Sequence, residues 1–303
     1  MTSNPSEQDC DVAIVGGGPA GLSAALVLGR CRRSVVLYDS GVYRNRAAHT
    51  MHGFLTRDGI APEDLRRLGR DEIARYDSVE IRDVSVERVS RDAEAFILEA
   101  ADGARVRCKK LLLATGIRDN LPEVAGAEEL YGSCLFHCVY CDGYELRDQP
   151  LAAYAHDDRF VRVLTQWSKD VVLCTGGAGA IDAASRARLE REGIVVDSRR
   201  VVRFEREGEG VKLVFAEGPA LSRRAVFFHL GCAMRSNFAR ELGCELDEKG
   251  GIAVDKYEAT CVPGLYVAGD ASRDILLAVV AAGEGAAAAA AINSALCTEA
   301  FRE

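Results

Sequence analysis

The sequence predicts an α/β fold in two domains, on three observations. Asp11-Val12-Ala13-Ile14-Val15 reads as a buried parallel strand running into Gly16-Gly17-Gly18-Pro19-Ala20-Gly21 and then a helix, Leu22 to Arg30. A second β-α-β start lies mid-chain, with strands at Leu151 to Ala155 and Val171 to Thr175 around a helix at Arg159 to Trp167. The length of 303 residues suits about two domains, and 48% hydrophobic residues suffice for a core in each.

The N-terminal glycines form G-x-G-x-x-G after a strand and at the opening of a helix, the context that gives the pattern meaning. Gly16 allows a tight turn, Gly18 lets the main chain approach a pyrophosphate, and Gly21 lets the helix lie close on the strand. The turn, Pro19 and Ala20 included, therefore aims the helix's unpaired N–H groups at phosphates. The next strand, Ser34 to Tyr38, ends in Asp39, where a carboxylate holds a ribose hydroxyl. Strand, glycines, helix, strand and acid in this order predict a dinucleotide site.

Cys138-Val139-Tyr140-Cys141-Asp142-Gly143 is the second chemical feature, since two thiols three residues apart can close a disulfide or clip a metal. A structural zinc needs four donors, usually two such pairs, and no second Cys-x-x-Cys occurs in the chain. Redox chemistry is the better reading.

With Leu111 to Gly116 and Pro263 to Asp270, the N-terminal motif resembles the three-part signature of the FAD-containing pyridine nucleotide-disulfide oxidoreductases. The resemblance implies FAD, with Asp270 on the ribityl chain, Thr115 and Gly116 beside the cofactor, and Gly269, Asn45 and Ala278 among its contacts. Cys138 to Gly143 is specific to the low-molecular-weight thioredoxin reductases; larger disulfide reductases carry their cysteines near the first glycine motif. That branch implies two Rossmann-like (three-layer ββα) nucleotide-binding domains, the second inserted into the first: an FAD domain at 1–117 and 248–303, and an NAD(P)-type domain at 118–247 carrying the cysteines. It also implies that Cys141 faces the flavin, that Cys138 meets substrate and that Asp142 is the acid/base; His137, His49 and His52 are alternative bases.

Three departures separate the chain from a thioredoxin reductase. After Leu151 to Ala155, His156-Asp157-Asp158-Arg159 stands where a glycine-rich phosphate turn belongs, putting two carboxylates near a pyrophosphate position. Like charges about 4 Å apart repel by roughly 1 kcal/mol in water and more when partly buried. After the next strand, Thr175-Gly176-Gly177-Ala178-Gly179 replaces the basic cluster for the 2'-phosphate of NADPH and reads as a tight turn. NADPH as a cofactor is thus in doubt. Beside the expected flavin, Leu276-Leu277-Ala278 replaces a polar triplet and leads into a small-residue helix, its N-terminal dipole aimed at a reduced flavin.

Tyr140, Tyr144-Glu145 and Gly269 to Asp274 are most similar to the thioredoxin-reductase-like dithiol oxidases that close natural-product disulfides of the holomycin and gliotoxin type; those relatives often have His where this chain has Asp142. The resemblance implies an enzyme, an FAD-dependent thiol-disulfide oxidoreductase that oxidises a small-molecule dithiol with O2 and forms hydrogen peroxide. The rival readings are electron flow from NADPH or another donor to a thioredoxin-like protein, and a non-catalytic flavin redox sensor.

Elsewhere, Gly41 to Arg57 reads as a polar loop over the cofactor and Pro62 to Tyr76 as an amphipathic helix. Segments from Val79 to Lys109 read as a β-meander, and Ile181 to Glu192 as a helix. Met1 to Asp9 lacks the basic start and apolar run of a signal peptide, and the apolar run Ala286 to Ile292 is short for a bilayer. Cytoplasmic residence and no membrane partner are expected. Most of the eleven cysteines are then free thiols, and Cys134, close to the pair, is expected to stay out of its exchange. A net charge of -8 argues against nucleic acid. A homodimer is implied by the family alone.

Overall fold

The structure, a computed structural model, describes residues 8–177, 181–272 and 275–301. It divides into two compact units, one formed by Met1–Arg46, Phe54–Arg118 and Met234–Glu303 and the other by Ala47–Gly53 and Asp119–Ala233. The two chain crossings, Ile117–Asp119 and Cys232–Met234, pair with one another as a two-stranded sheet. The chain rejoins the first unit at Met234, earlier than the expected residue 248, because Ala239 and Cys244 are buried in that unit's core. Ala47–Gly53 belongs to the cysteine-bearing unit, although the sequence placed it in the loop over the cofactor.

The first unit is built on a seven-stranded sheet. From one edge its strands are Val79–Arg82, Val35–Tyr38, Gln8–Val15, Arg105–Leu113, Ala95–Ala100 and Val86–Asp92, with Leu265–Val267 also paired to Arg105–Leu113. Val79–Arg82 runs parallel to Val35–Tyr38, and Arg105–Leu113 is one long strand parallel to Gln8–Val15. The expected meander is therefore confined to the antiparallel strands from Val86 to Cys108. Side chains alternate across the sheet. Val12, Ile14, Val35, Leu37 and Leu112 pack on the helix Pro19–Arg30 and the C-terminal helix, whereas Ala13, Val15, Val36 and Leu113 join Phe96, Leu98 and Ile252 on the other face.

The C-terminal helix, Ala278–Ala300, is longer than the apolar run Ala286 to Ile292 and is long and apolar enough to cross a membrane by length and composition. In this fold it buries Ala281, Gly285, Ala288, Ala289, Ile292 and Leu296 in the core shared with Pro19–Arg30. Alanine buries little area, so the helix gains from close approach rather than from side-chain size. At Gly285 a Cβ would lie 2.0 Å from the Ala20 carbonyl oxygen.

The second unit has a five-stranded parallel sheet in the order Val195–Asp197, Val171–Cys174, Leu151–Ala155, Ala225–His229, Leu135–Phe136. One face, through Tyr154, Val172, Val226 and Phe228, packs with Phe204, Leu213 and Phe215 of the antiparallel strands Val201–Glu207 and Gly210–Phe215, completed by Leu221–Arg223. The opposite face, through Leu151, Ala153, Leu173 and Phe227, packs with Val161 and Leu164 of the helix Asp158–Leu164 and Leu189 of the helix Ala183–Arg191. Each unit is thus an α/β fold with a parallel sheet at its centre, matching the expected class.

Gly285→Ala is expected to destabilise the protein by about 1–3 kcal/mol, the usual cost of inserting atoms into a packed contact. Urea unfolding of the first unit followed by circular dichroism checks this, and an unchanged midpoint would contradict the close packing.

Candidate active site

Cys138 and Cys141 form a disulfide with Cα atoms 5.3 Å apart, within the range such a bond needs. Cys138 precedes the single helical turn Val139–Asp142, which places Cys141 back toward it, and both are half-buried. Gly143 ends the turn where a Cβ would lie 2.4 Å from the Val139 carbonyl oxygen and 2.9 Å from the Trp167 ring. Trp167 also meets the Tyr140 ring edge-on at 5.5 Å. Tyr140 and Tyr144 are 68% and 64% exposed, so two rings stand in solvent beside the disulfide. Among the described residues no cluster of three or more metal-binding side chains occurs.

Asp142 is half-buried and its carboxyl is pushed up to about 7, first by loss of solvent and then by Glu145, with His52 opposing. His52 Nε2 lies 3.6 Å from Glu145 Oε1. A carboxyl with that proton affinity exchanges protons near neutral pH, as an acid/base partner for thiols requires. The two other candidate bases fare differently. His49 is exposed, and His137 has Nδ1 2.9 Å from the Tyr131 hydroxyl and Nε2 3.7 Å from Asp119 Oδ2. Cys134 is fully buried, with its thiol turned to the Glu209 and Gly210 carbonyl oxygens.

In the first unit the glycine turn has the cradle that a dinucleotide needs. Gly16 has φ +118° and lies against Ala114, and a Cβ on Gly21 would be 1.8 Å from the Gly16 carbonyl oxygen. Gly18 is the N-cap, offers no side-chain cap and faces open space, and the first turn carries no acidic residue. The helix N–H groups are therefore not answered by a carboxylate of their own, and the turn fits a pyrophosphate.

Asp39 is 3% exposed and accepts hydrogen bonds from the Tyr43 hydroxyl at 2.6 Å, the Gly41 N–H at 3.0 Å and Arg70 at 3.3 Å. Tyr43, its phenol pushed up to about 12 by burial and then by Asp39, remains a donor. Arg66 stacks 3.7 Å above the Tyr43 ring and bonds Asn45. Tyr43, Arg66 and Arg70 line a hollow of about 440 Å³ next to Asp39.

Asp270 pairs with Arg44 at 3.0 Å, and Gly269, at φ +83°, donates its N–H to Glu284. Gly116 is left-handed, Thr115 accepts from Ser236, and Ala278 opens the C-terminal helix. The structure thus gathers Gly16, Gly18, Pro19, Ala20, Gly21, Asp39, Asn45, Thr115, Gly116, Gly269, Asp270 and Ala278 in one unit. Of the tail Gly269 to Asp274, Arg273 and Asp274 lie outside the described residues. Sequence reasoning missed Tyr43, Arg66 and Arg70; the spacing of Arg66 and Arg70, one helical turn apart, was the available signal.

At the matching position in the second unit the helix N-terminus carries a side-chain cap. Asp157 is the N-cap of Asp158–Leu164, its Oδ1 accepting from the N–H groups of Arg159 at 2.9 Å and Phe160 at 3.4 Å. Burial raises its proton affinity, but bonds from the Arg159 side chain and backbone and from Phe160 hold the carboxyl below its ordinary range. Phe160 stacks on His229, at the end of the neighbouring strand, with centroids 5.2 Å apart. Gly176 and Gly177 are left-handed, and a Cβ on Gly176 would lie 2.2 Å from the Tyr154 hydroxyl, a tight turn against a ring. Ala178 and Gly179 lie outside the described residues.

A chain with this paired architecture and redox turn belongs to the pyridine nucleotide-disulphide oxidoreductase family, whose model matches residues 10–188 and 169–285. It is an oxidoreductase of the thioredoxin-reductase-like kind, and the family implies flavin binding. Thioredoxin reductase tcpT of Claviceps purpurea is 33% identical over 86% of this chain and 86% of that protein. The structure of HlmI aligns at a TM-score of 0.92 with 36% identity, covering 99% of this chain and 96% of its own. The putative thioredoxin reductase TrxB of Bacillus anthracis aligns at 0.92 with 33% identity, over 96% and 100%.

Asp142 binds its proton more tightly folded than at its ordinary 3.8. Below that value both states are protonated and nothing is lost. As pH rises toward 7 the unfolded state ionises first, and stability falls. Asp142→Asn is therefore expected to raise the melting temperature at pH 8 and to leave it nearly unchanged at pH 4. Equal effects at both would contradict the burial of the carboxyl.

Proposed function

We propose that this enzyme oxidises a small-molecule dithiol to its disulfide at Cys138–Cys141, with FAD as cofactor and O2 as the final acceptor. The observation that carries the direction is the Asp157 cap. It sets a carboxylate on the helix N-terminus where a nicotinamide donor's pyrophosphate would bind, while the redox turn and the flavin cradle are intact. Electrons then enter the couple from its own dithiol substrate and leave through the flavin.

In this reading a substrate thiolate attacks Cys138 Sγ, the Cys138–Cys141 bond breaks, and Cys141 departs as thiolate. The second substrate thiolate attacks the substrate sulfur of the mixed disulfide and displaces Cys138, so two electrons have passed to the couple. Asp142 takes up and returns the thiol protons, which its affinity near neutrality allows. Tyr140 and Tyr144 offer an apolar rim on which a compact ring-bearing substrate would rest. The Gly16–Gly21 turn, Asp39 and Asp270 would hold FAD, whose chemistry when bound would be two-electron transfer from the thiol couple to O2, with hydrogen peroxide as product.

Cys141→Ser is expected to keep the yellow cofactor and lose at least 99% of dithiol-dependent oxygen consumption, a loss of about 2.7 kcal/mol or more in transition-state terms. An oxygen electrode with dithiothreitol as substrate measures it. Undiminished consumption in that variant would remove the cysteine pair from the reaction.

A further inference from the structure

His52 comes from a segment that the sequence tied to the cofactor, yet Ala47–Gly53 clusters with the cysteine-bearing unit. The segment is seated closely there: Gly132, at φ +81°, approaches the Ala47 carbonyl oxygen so nearly that a Cβ would lie 2.2 Å from it. Met51 is buried, and His52, one residue on, lies 3.6 Å from Glu145. Glu145 lies three residues beyond Asp142, the last residue of the turn Val139–Asp142, and its charge reaches Asp142. The groups whose charge acts on Asp142 are thus Glu145, from its own stretch of chain, and His52, from the docked segment.

We infer that His52 is a positioning residue for the thiol chemistry, holding Glu145 so that the Glu145 and Asp142 carboxyls share one compensating cation beside the Cys138–Cys141 disulfide. The inference rests on the proposed role of that disulfide. Two carboxylates beside a departing thiolate repel it, and a cation between them offsets part of that repulsion. His52 supplies the cation only when protonated, so the centre's electrostatics depend on a residue far away in sequence. Its effect reaches the sulfur atoms through Asp142, and His52 needs no contact with them.

The test follows reduction of Cys138–Cys141 in the intact protein by dithiothreitol. One reagent thiolate attacks Cys138 Sγ and Cys141 leaves; the second displaces Cys138, yielding the cyclic reagent disulfide and two protein thiols. Rapid alkylation and mass spectrometry give the rate at each pH, divided by the reagent's thiolate fraction.

The limb belonging to Asp142 is expected to move up by about 1 unit or less in His52→Gln, as loss of a nearby opposite charge requires, and down in Glu145→Gln. The double variant is expected between them. His52→Lys, a fixed cation, should hold the limb at or below its wild-type position. A limb that stays put in His52→Gln, whatever the rate, overturns the inference, because a structural role alone would change the rate and leave the pH dependence in place. Should His52→Gln fail to fold, a His52→Lys limb above that of the wild type overturns it equally. A wild-type disulfide that dithiothreitol does not reduce overturns both this inference and the functional reading beneath it, whereas an unshifted limb overturns this inference alone.

Discussion

A helix begins with backbone N–H groups that no carbonyl of its own can satisfy, and what answers them separates the two halves of this chain. In the first unit the answer is left to a ligand. Gly18 caps Pro19–Arg30 with no side chain, and the first turn has no acid to compete with a phosphate. In the second unit the answer is internal: the Asp157 carboxylate binds the first N–H groups of Asp158–Leu164 and stays ionised through them and Arg159. An incoming pyrophosphate would have to displace a hydrogen-bonded anion of the same sign. One fold used twice thus leaves one helix N-terminus without a side-chain cap and caps the other.

That asymmetry shapes the chemistry available to the cysteine pair. A disulfide couple moves two electrons and two protons, and both need an address. In the proposed reaction the turn Val139–Asp142 gives the protons one, since it puts a carboxyl of raised affinity directly after Cys141. The cradle formed by the glycine turn, Asp39 and Asp270 suits the flavin that the family implies, which in the proposed reaction gives the electrons another. In the proposed reaction the remaining partner is a thiol donor, to which the surface beside the disulfide presents the exposed rings of Tyr140 and Tyr144.

Where short-range pattern determines structure, the sequence was legible. The apolar run Val12 to Val15, the glycines at 16, 18 and 21 and the Cys-x-x-Cys spacing each specify backbone geometry within a few residues, and each stands where it was expected. Long-range pairing was harder. Val79–Arg82 lies parallel to Val35–Tyr38 because its face completes the central sheet, a fact absent from its own residues. The role of Asp157 was half visible: its charge was plain, but capping depends on the helix starting at Asp158. His52 was set with the other unit because a chain segment can dock on a domain it does not adjoin in sequence, as Gly132's close approach to Ala47 and the His52–Glu145 contact mark.

In the proposed reaction electrons enter from dithiols and not from a nicotinamide. Anaerobic stopped-flow absorbance of the purified flavoprotein measures this directly, with dithiothreitol in one syringe and NADPH in another. Rapid bleaching of the flavin by the dithiol, with NADPH inert or far slower, is the predicted result. Rapid bleaching by NADPH would contradict the account.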